Sequence, residues 1–324
     1  MTVLVAGGGG FIGGHLVGSL LADGLAVRAV DRKPLEEWCQ LHPDAQNIEG
    51  DVSLREVADD AVAGCTQVYN LACDMGGMGF IEQHKALCML SVLSNTHLLV
   101  ASRDHGVERY FFASTACVYP QSRQASSDAA GLRERDVYPA DPEDGYGWEK
   151  LFSERMCRHF TEDFLVDTRV ARYHSVYGPM GTWDGGREKA PAAICRKIAL
   201  AKQTGVHEIE IWGDGHQTRS FQYVDDCIEG TQRLMASDVR EPVNVGSAEA
   251  VSIEDLVKIV EDLAGITVKR RHDLSAPQGV RGRTSDNTLC RELLGWEPTT
   301  PLVDGLRVTY DWIERQVVAR LEGR

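Results

Sequence analysis

Residues 2–13 read TVLVAGGGGFIG, an apolar run that leads directly into a glycine-rich turn. The apolar run predicts a buried strand. The segment after the turn, residues 11–23, carries Leu16, Leu20 and Leu21 on one stripe of a predicted helix. A strand, a glycine-rich turn and a helix in this order are typical of the first unit of a dinucleotide-binding α/β fold.

Three of the glycines have the spacing of a dinucleotide-binding turn. Gly7, Gly10 and Gly13 permit a tight turn, close approach of a pyrophosphate and close packing of the helix on the sheet. The helix that starts with Phe11 and Ile12 presents backbone N–H groups and the positive end of its dipole to the phosphates. These five positions are therefore predicted to bind the cofactor.

Two acidic residues are candidates for contacts to the nucleosides of that cofactor. Asp31 follows the second apolar run, residues 26–30, where a carboxylate would accept a hydrogen bond from a ribose 2′-hydroxyl. The predicted cofactor is therefore NAD, because the 2′-phosphate of NADP would meet a negative charge. Asp51 follows a further predicted strand and is a candidate contact to the adenine, with an ordinary strand-end acid as an equal alternative.

Apolar runs continue to alternate with helical patterns through the first half of the chain. Runs at residues 67–72 and 110–113 flank a helical pattern at residues 95–105. This alternation predicts an α/β fold, a Rossmann-type doubly wound parallel sheet with its ligands at the carboxyl ends of the strands. Residues 191–202 and 253–263 are predicted helices of a smaller C-terminal substrate lobe, the second capped by Ser252 and ended by Gly265.

The bulk composition excludes several classes of partner. The 324 residues carry 34 Lys and Arg against 48 Asp and Glu, a formal charge of −14, which argues against nonspecific nucleic-acid binding. We find no signal-peptide layout, and no apolar run near the roughly 18 residues of a membrane span. Nine cysteines without a CxxC pair predict reduced thiols in the cytoplasm and no metal site.

The chemistry is indicated by Tyr146 and Lys150, which lie four residues apart on one predicted helix face. An ammonium in that position can lower the pKa of the phenol and make it a base near neutrality. Cys117 lies upstream in the segment Ser114–Tyr119 and adds a second acid/base that plain alcohol oxidation does not need. The three residues predict a redox step combined with a separate proton transfer.

The wider pattern resembles the extended short-chain dehydrogenase/reductases. The matching segments include YGWEK at 146–150, NLA at 70–72, ST at 114–115, RSF at 219–221 and YVDD at 223–226. Within that superfamily, longer segments resemble the GDP-mannose 3,5-epimerase family. They are DMGGMGFI at 74–81, GTW at 181–183, GGREKAPAA at 185–193, WGDG at 212–215, QTRSF at 217–221, VRGR at 280–283 and SDN at 285–287.

This resemblance implies a role for each member of the predicted site. Tyr146 would be the base for oxidation at C4 of the sugar, Lys150 would tune it, and Thr115 would hold the C4 hydroxyl. Cys117 and Lys189 would be the acid/base pair for epimerisation. Tyr146 and Lys150 would also contact NAD, which would be tightly bound and regenerated in each turnover.

The resemblance further implies a substrate site for a nucleotide sugar. Gly76 and Gly77 would place backbone groups against the hexose. Ser175 stands where the family has an asparagine that contacts the substrate near the diphosphate. Three arginines would face the diphosphate or the nucleotide: Arg219, Arg281 and Arg283.

The implied activity is NAD-dependent epimerisation of GDP-mannose at C3 and C5, to GDP-L-galactose and also GDP-L-gulose. Cys73 replaces a small alanine beside the sugar loop, and together with Ser175 it keeps other NDP-hexose epimerases open, namely a 5-epimerase or a 4-epimerase. A 4,6-dehydratase is disfavoured because Ala116 and Cys117, not an Asp-Glu pair, follow Thr115. A non-catalytic NAD-binding protein has no reason to keep Tyr146, Lys150, Cys117 and Lys189 together.

The resemblance also implies how the chain is divided. Residues 1–172 and about 223–246 would form the NAD-binding domain. Residues 173–222 and 247–324 would form the substrate lobe. The family further implies a homodimer.

Overall fold

The structure, a computed structural model, describes residues 1–323. Its strands are β1 (Thr2–Ala6), β2 (Ala26–Asp31), β3 (Gln46–Glu49), β4 (Gln67–Asn70), β5 (Arg109–Thr115), β6 (Thr168–Tyr173), β7 (Ser175–Tyr177), β8 (Glu208–Trp212), β9 (Thr218–Tyr223), β10 (Val243–Val245), β11 (Ala250–Ser252), β12 (Lys269–Asp273) and β13 (Gly282–Arg283). Its helices are α1 (Phe11–Ala22), α2 (Arg55–Val62), α3 (Met78–Gln83), α4 (Lys85–Met89), α5 (Ser91–Asp104), α6 (Tyr146–Phe164), α7 (Ala190–Thr204), α8 (Val224–Ala236), α9 (Ile253–Ala264), α10 (Thr288–Leu294) and α11 (Leu302–Leu321).

A seven-stranded parallel sheet in the order β10-β6-β5-β4-β1-β2-β3 organises the molecule. The strand order reverses between β1 and β4, which opens a crevice at the carboxyl ends of these strands. The predicted doubly wound sheet is therefore confirmed. The predicted strands at residues 26–30, 67–72 and 110–113 are β2, β4 and the middle of β5.

Helices cover both faces of the sheet. On one face Leu16 of α1 packs in the same cluster as Ile228 of α8. On the other face Val62 of α2, Leu98 of α5 and Cys157 of α6 share a second cluster. Burial on both faces explains the continuous apolar runs of the central strands, which do not alternate with polar residues.

A second packed unit is built around α7, α9 and α11, whose apolar faces form a separate cluster. Helix α9 begins as predicted, because the Ser252 hydroxyl accepts a hydrogen bond of 3.0 Å from the Asp255 amide. It ends at Gly265, which has the left-handed conformation with a φ of 70°. The predicted helix at residues 191–202 is α7, with Pro191 in its first turn.

The chain returns to the main sheet after β9. Strand β10 pairs in parallel with β6, and α8 packs beside α1. Helix α10, which follows much later in the chain, also contacts β10. The division of the chain into two domains at the boundaries given above stays a prediction.

One helical stretch is longer and more apolar than the sequence analysis allowed. Residues 85–104, which include α4 and α5, span 20 residues with a mean hydropathy of 1.2, enough to cross a membrane by length and composition alone. The expectation that no apolar run approaches this length is therefore wrong. In the structure α5 packs against α2 and α6, and 44% of the stretch is buried inside the fold.

Candidate active site

A cavity of about 1350 Å³ lies at the carboxyl ends of the central strands. It extends from the glycine turn after β1 to the second packed unit, where Lys189 and Arg219 line it. Every predicted site residue lines this cavity except Lys150, which is buried beneath it, and Arg281. The volume exceeds that of a usual single-ligand pocket and accommodates a dinucleotide together with a second ligand.

The glycine turn forms a cradle that only glycine can build. Gly7 has a φ of 84° and approaches the backbone so closely that an added Cβ would lie 2.9 Å from the Ala72 nitrogen. A Cβ on Gly13 would lie 2.0 Å from the Gly7 carbonyl oxygen. Gly10 caps α1 with no side chain, so the N–H groups of the first turn point toward the cavity. This geometry fits the pyrophosphate of NAD, with Phe11 and Ile12 beside it.

The acids predicted to contact the cofactor lie at the same rim. Asp31 ends β2 and accepts a hydrogen bond of 3.1 Å from the Lys33 amide, and Asp51 accepts one of 2.9 Å from the Ser53 amide. The neighbouring Arg32 forms an ion pair with the buried Asp74. This ion pair engages the guanidinium of the basic residue beside Asp31.

Tyr146 begins α6 and faces the cavity, as predicted, with Thr115 beside it. Burial raises the pKa of Tyr146 well above its ordinary value, the nearby Cys73 and Cys117 add to the rise, and a hydrogen bond with Thr115 opposes it. The Lys150 ammonium donates to the Ala113 carbonyl at 3.1 Å and lies 5.8 Å from the centre of the Tyr146 ring. Burial therefore dominates the pKa of the phenol in the protein without ligands, and the tuning of Tyr146 by Lys150 stays a prediction.

Cys117 follows β5 in a short turn capped by Thr115, whose hydroxyl accepts from the Cys117 amide at 3.2 Å. The thiol is buried among Phe80, Ile81 and Tyr146. Burial and the adjacent carboxylate of Glu143 raise the pKa of the Cys117 thiol to about 11, although Arg283 opposes the rise. The resting site therefore holds a protonated thiol.

Lys189 enters the same cavity from the amino end of α7, where it is the capping residue. Burial lowers the pKa of Lys189, and its electrostatic interactions with Cys117, Cys227 and Cys73 oppose that change. The fold thus brings Lys189 into the same cavity as Cys117 and Tyr146, although the three residues come from distant parts of the chain.

The glycine-rich loop before α3 packs directly on the segment that carries Lys189. The Gly77 amide donates to the Arg187 carbonyl at 3.1 Å, and a Cβ on Gly77 would lie 2.7 Å from the Glu188 oxygen. Asp74 in this loop also forms an ion pair of 3.5 Å with Arg187. The Gly77 amide is therefore engaged with the protein, while Gly76 and Gly77 both line the cavity, and their contact with the hexose stays a prediction.

The predicted diphosphate-binding residues occupy different environments. Ser175 begins β7 and lines the cavity. Arg219 also lines it, and its guanidinium donates to the carbonyls of Thr218 and Gln278 at 2.7 and 3.1 Å. Burial lowers the pKa of Arg219 to about 10, and within residues 1–323 it has no carboxylate ion-pair partner. Arg219 therefore presents a cation without a carboxylate partner to the cavity, and its contact with a diphosphate stays a prediction.

The other two predicted arginines form ion pairs with carboxylates. Arg281 pairs with Asp214 at 2.9 Å and does not line the cavity. Arg283 is buried, pairs with Glu143 and donates to the sulfur of Cys117 at 3.3 Å. Both guanidinium groups have carboxylate partners, and Arg283 also lines the cavity, so a contact of either arginine with the diphosphate or the nucleotide stays a prediction.

Sequence reasoning did not predict that Glu143 and Gln124 contact Arg283 behind the cavity lining, or that Asp74 pairs with Arg32 and Arg187. Glu143 lies just before the Tyr146 motif, which is a local signal, but its partner Arg283 is far along the chain. Gln124 receives the Arg283 Nε hydrogen bond at 2.5 Å. No group of His, Cys, Asp or Glu that could hold a metal ion occurs in the part of the chain that the structure describes.

The cradle and the tyrosine–lysine pair define a dinucleotide-dependent enzyme of the extended short-chain type. Residues 3–246 match the model of the NAD dependent epimerase/dehydratase family. The chain belongs to that family.

Within this family, the chain is similar to GDP-mannose 3,5-epimerases. The chain is 44% identical over 318 residues to GDP-mannose 3,5-epimerase 1 of Oryza sativa subsp. japonica, covering 98% of this chain and 82% of that protein. It is 43% identical over 319 residues to GDP-mannose 3,5-epimerase of Arabidopsis thaliana, covering 98% and 83%.

Solved structures share the fold over the full length. The UDP-glucose 4-epimerase of Thermotoga maritima with UDP-glucose has a TM-score of 0.85 at 25% identity, covering 98% of this chain and 100% of that chain. MoeE5 in complex with UDP-glucose and NAD has a TM-score of 0.81 at 31% identity, with 98% and 100% covered.

Proposed function

We propose that this protein is an NAD-dependent isomerase that epimerises GDP-mannose at C3 and C5. The observation that carries the proposal is that Tyr146, Cys117 and Lys189 meet in one cavity beside a dinucleotide cradle. The identity of 43–44% to GDP-mannose 3,5-epimerases over 98% of the chain supports the same substrate. The products are GDP-L-galactose and, after inversion at C5 alone, GDP-L-gulose.

The first step makes the C–H protons at C3 and C5 of the sugar acidic. When bound in the glycine cradle, NAD would supply a reversible hydride acceptor for C4 and would be regenerated in each turnover. Tyr146 accepts the proton of the C4 hydroxyl, Thr115 positions that hydroxyl, and Lys150 supports the tyrosine. The protons at C3 and C5 then lie next to a carbonyl and can be removed with formation of an enolate.

The second step exchanges a proton at the acidified carbon. One member of the Cys117–Lys189 pair removes the proton from one face of the ring. The other member returns a proton to the opposite face, which inverts the configuration. Burial lowers the pKa of Lys189 and raises that of Cys117 to about 11. These directions favour an amine that accepts a proton and a thiol that donates one in the resting site.

Arg219 is the group best placed to bind the diphosphate. It lines the cavity, and its guanidinium contacts backbone carbonyls instead of a carboxylate. An arginine without a carboxylate partner gains charge-assisted hydrogen bonds when a diphosphate binds beside it. The neighbouring Ser175 offers a hydroxyl to the same region, in place of the longer amide of the family.

Incubation of the holoenzyme with GDP-mannose in D₂O tests the proposal. Deuterium is expected at both C3 and C5 of the recovered nucleotide sugar, measured by NMR. Incorporation at C5 alone would identify a 5-epimerase, and inversion at C4 without exchange at C3 or C5 would identify a 4-epimerase. Tyr146→Phe is the control, because without C4 oxidation neither position can exchange.

A homodimer is the proposed assembly. Helices α5 and α6 pack against each other and leave large apolar side chains exposed, including Leu93 (40%), Trp148 (44%) and Phe152 (57%). In a two-fold symmetric dimer, α5 and α6 of a second copy would pack on α5 and α6 of the first and cover these side chains.

The proposed location is the cytoplasm. All nine cysteines are free, and seven of them are buried. Free thiols in this number are typical of a reducing compartment.

A further inference from the structure

Arg283, at the end of β13, reaches the sulfur of Cys117. Its Nη1 atom donates to the Cys117 sulfur at 3.3 Å, its Nη2 atom forms an ion pair with Glu143, and its Nε atom donates to Gln124 at 2.5 Å. The three partners use both terminal nitrogens and the Nε of the guanidinium. Arg283, Glu143 and Gln124 are all less than 10% exposed.

The surrounding backbone holds this arrangement in place. The Gln124 amide group donates to the carbonyls of Tyr119 and Pro120 at 3.1 and 3.2 Å. The Glu143 amide donates to the Cys117 carbonyl at 3.0 Å. A Cβ on Gly147 would lie 2.4 Å from the same carbonyl oxygen, so α6 packs tightly behind the cysteine. The positions of sulfur, guanidinium and carboxylate are therefore fixed relative to one another.

The Glu143–Arg283 pair stays charged in spite of its burial. Burial alone would raise the pKa of Glu143, but Arg283 holds it below its ordinary value. Burial alone would likewise lower the pKa of Arg283, but Glu143 and Cys117 keep it raised. A buried ion pair costs desolvation free energy and is weak evidence for stability alone, which makes a role beside the thiol the better explanation.

Other groups also face the thiol. Tyr146 approaches it from α6, Lys189 from the start of α7, and Arg219 from β9. None of these contacts the sulfur by a hydrogen bond in the described residues, whereas Arg283 does. Arg283 and Glu143 are thus the charged pair in direct contact with the sulfur and its turn.

We propose that Glu143 and Arg283 are positioning residues for Cys117: Arg283 fixes the sulfur and stabilises its thiolate, and Glu143 balances the charge of Arg283. This inference rests on the proposed function, in which Cys117 gives a proton to the sugar carbon and takes one back. The proton moves between sulfur and carbon, while Glu143 and Arg283 keep their charges. The negative charge of Glu143 disfavours ionisation of the thiol, and the positive charge of Arg283 favours it.

Glu143→Gln tests this assignment because it removes the negative charge and keeps the size. The rate of Cys117 alkylation by iodoacetamide, followed by peptide mass spectrometry on the holoenzyme at about pH 8, reports the thiolate fraction. Removal of the negative charge beside the thiol is expected to lower the pH midpoint of Cys117 alkylation by about one pH unit. At about pH 8 the alkylation rate should therefore rise about tenfold. The pH profile of deuterium exchange should move in the same direction, with the KM for GDP-mannose unchanged.

Asp214→Asn is the matched control. It removes the carboxylate from Arg281, two residues before Arg283, and this exposed pair lies outside the cavity. We expect no change in the alkylation rate of Cys117. Arg283→Lys is a second test: it loses the donor to sulfur and should slow alkylation several-fold.

Unchanged alkylation in Glu143→Gln, or in Arg283→Lys if the first variant does not fold, would overturn the assignment. A change in KM alone would do the same, since it would place the pair in substrate binding. The alkylation assay contains no nucleotide sugar. A shifted rate combined with no deuterium uptake by the wild-type protein would therefore retain the pair and reject the epimerase function.

Discussion

At the scale of single residues, burial decides the chemistry of this site. The same loss of solvent raises the pKa of Tyr146 and of Cys117 and lowers that of Lys189. An acid that is hard to ionise and an amine that is easy to neutralise are thereby placed in one cavity. The residue types alone predict neither direction, because each depends on neighbours from other elements.

Cys117→Ala separates the two steps of the proposed reaction. The variant should still oxidise C4, because Tyr146, Lys150 and Thr115 remain. It should lose deuterium exchange at C3 and C5 by about 10²- to 10⁴-fold, the usual contribution of a positioned acid or base. Nicotinamide absorbance measures the first step and NMR the second. Exchange at the wild-type rate would show that the thiol takes no part.

His174 makes folding stability depend on pH. Burial lowers the pKa of His174 from an ordinary 6.5 to about 3, so between these values the unfolded chain binds the extra proton and the folded chain does not. Stability must therefore fall as the pH falls through this range, by about 2 kcal/mol between pH 6.5 and 5. Urea unfolding at several pH values measures the slope.

His174→Gln should flatten that slope, because glutamine does not titrate. The absolute stability of the variant is not the test, since any substitution of a buried residue changes it. An equal slope in both proteins would assign the acid sensitivity to other groups.

At the scale of elements, the first strand, turn and helix could be predicted in detail. Their signals are local: an apolar run, glycines at fixed spacing and a leucine stripe, each of which acts within a few residues. The capped helix α9 is predictable for the same reason. The short strands β7 to β13 were not predicted, because they have only 2 to 6 residues and form by pairing with distant partners.

Gly13→Ala should abolish retention of NAD. Its Cβ would lie 2.0 Å from the Gly7 carbonyl oxygen, so α1 must move away from the turn. Gly18→Ala in the same helix is the control, because its Cβ would meet only the His42 side chain, at 2.9 Å, which can rotate. NAD released from the purified, denatured proteins is the measurement. Full NAD content in Gly13→Ala would contradict the close packing seen here.

At the scale of the whole molecule, the fold supplies two surfaces with different uses. The crevice between β1 and β4 continues into a cavity that reaches the second packed unit. Helices α5 and α6 present exposed apolar residues, of which Leu93 lies at the cavity and Trp148 and Phe152 lie outside its lining. The apolar stretch of membrane length, residues 85–104, forms α4 and α5 and is 44% buried inside the fold.

Phe152→Glu should shift the protein from dimer to monomer. A charge at the centre of the proposed two-fold interface would be desolvated against an identical charge on the second copy. Size-exclusion chromatography with light scattering gives the mass directly. Phe164→Glu, at the far end of the same helix, is a control with similar exposure. A monomeric wild-type protein would reject the proposed assembly.

The sequence by itself determined the cofactor cradle, the Tyr146–Lys150 spacing and the resemblance that selected Cys117 and Lys189. These depend on neighbouring residues or on long matching segments. Only the tertiary structure decided that Arg283 contacts Cys117 and Glu143, that Arg281 lies outside the cavity, and that the Gly77 amide donates to the Arg187 carbonyl. The physical reason is that hydrogen bonds, ion pairs and burial are set by residues far apart in the chain, which the packing of β13, α6 and α7 around the turn after β5 brings together.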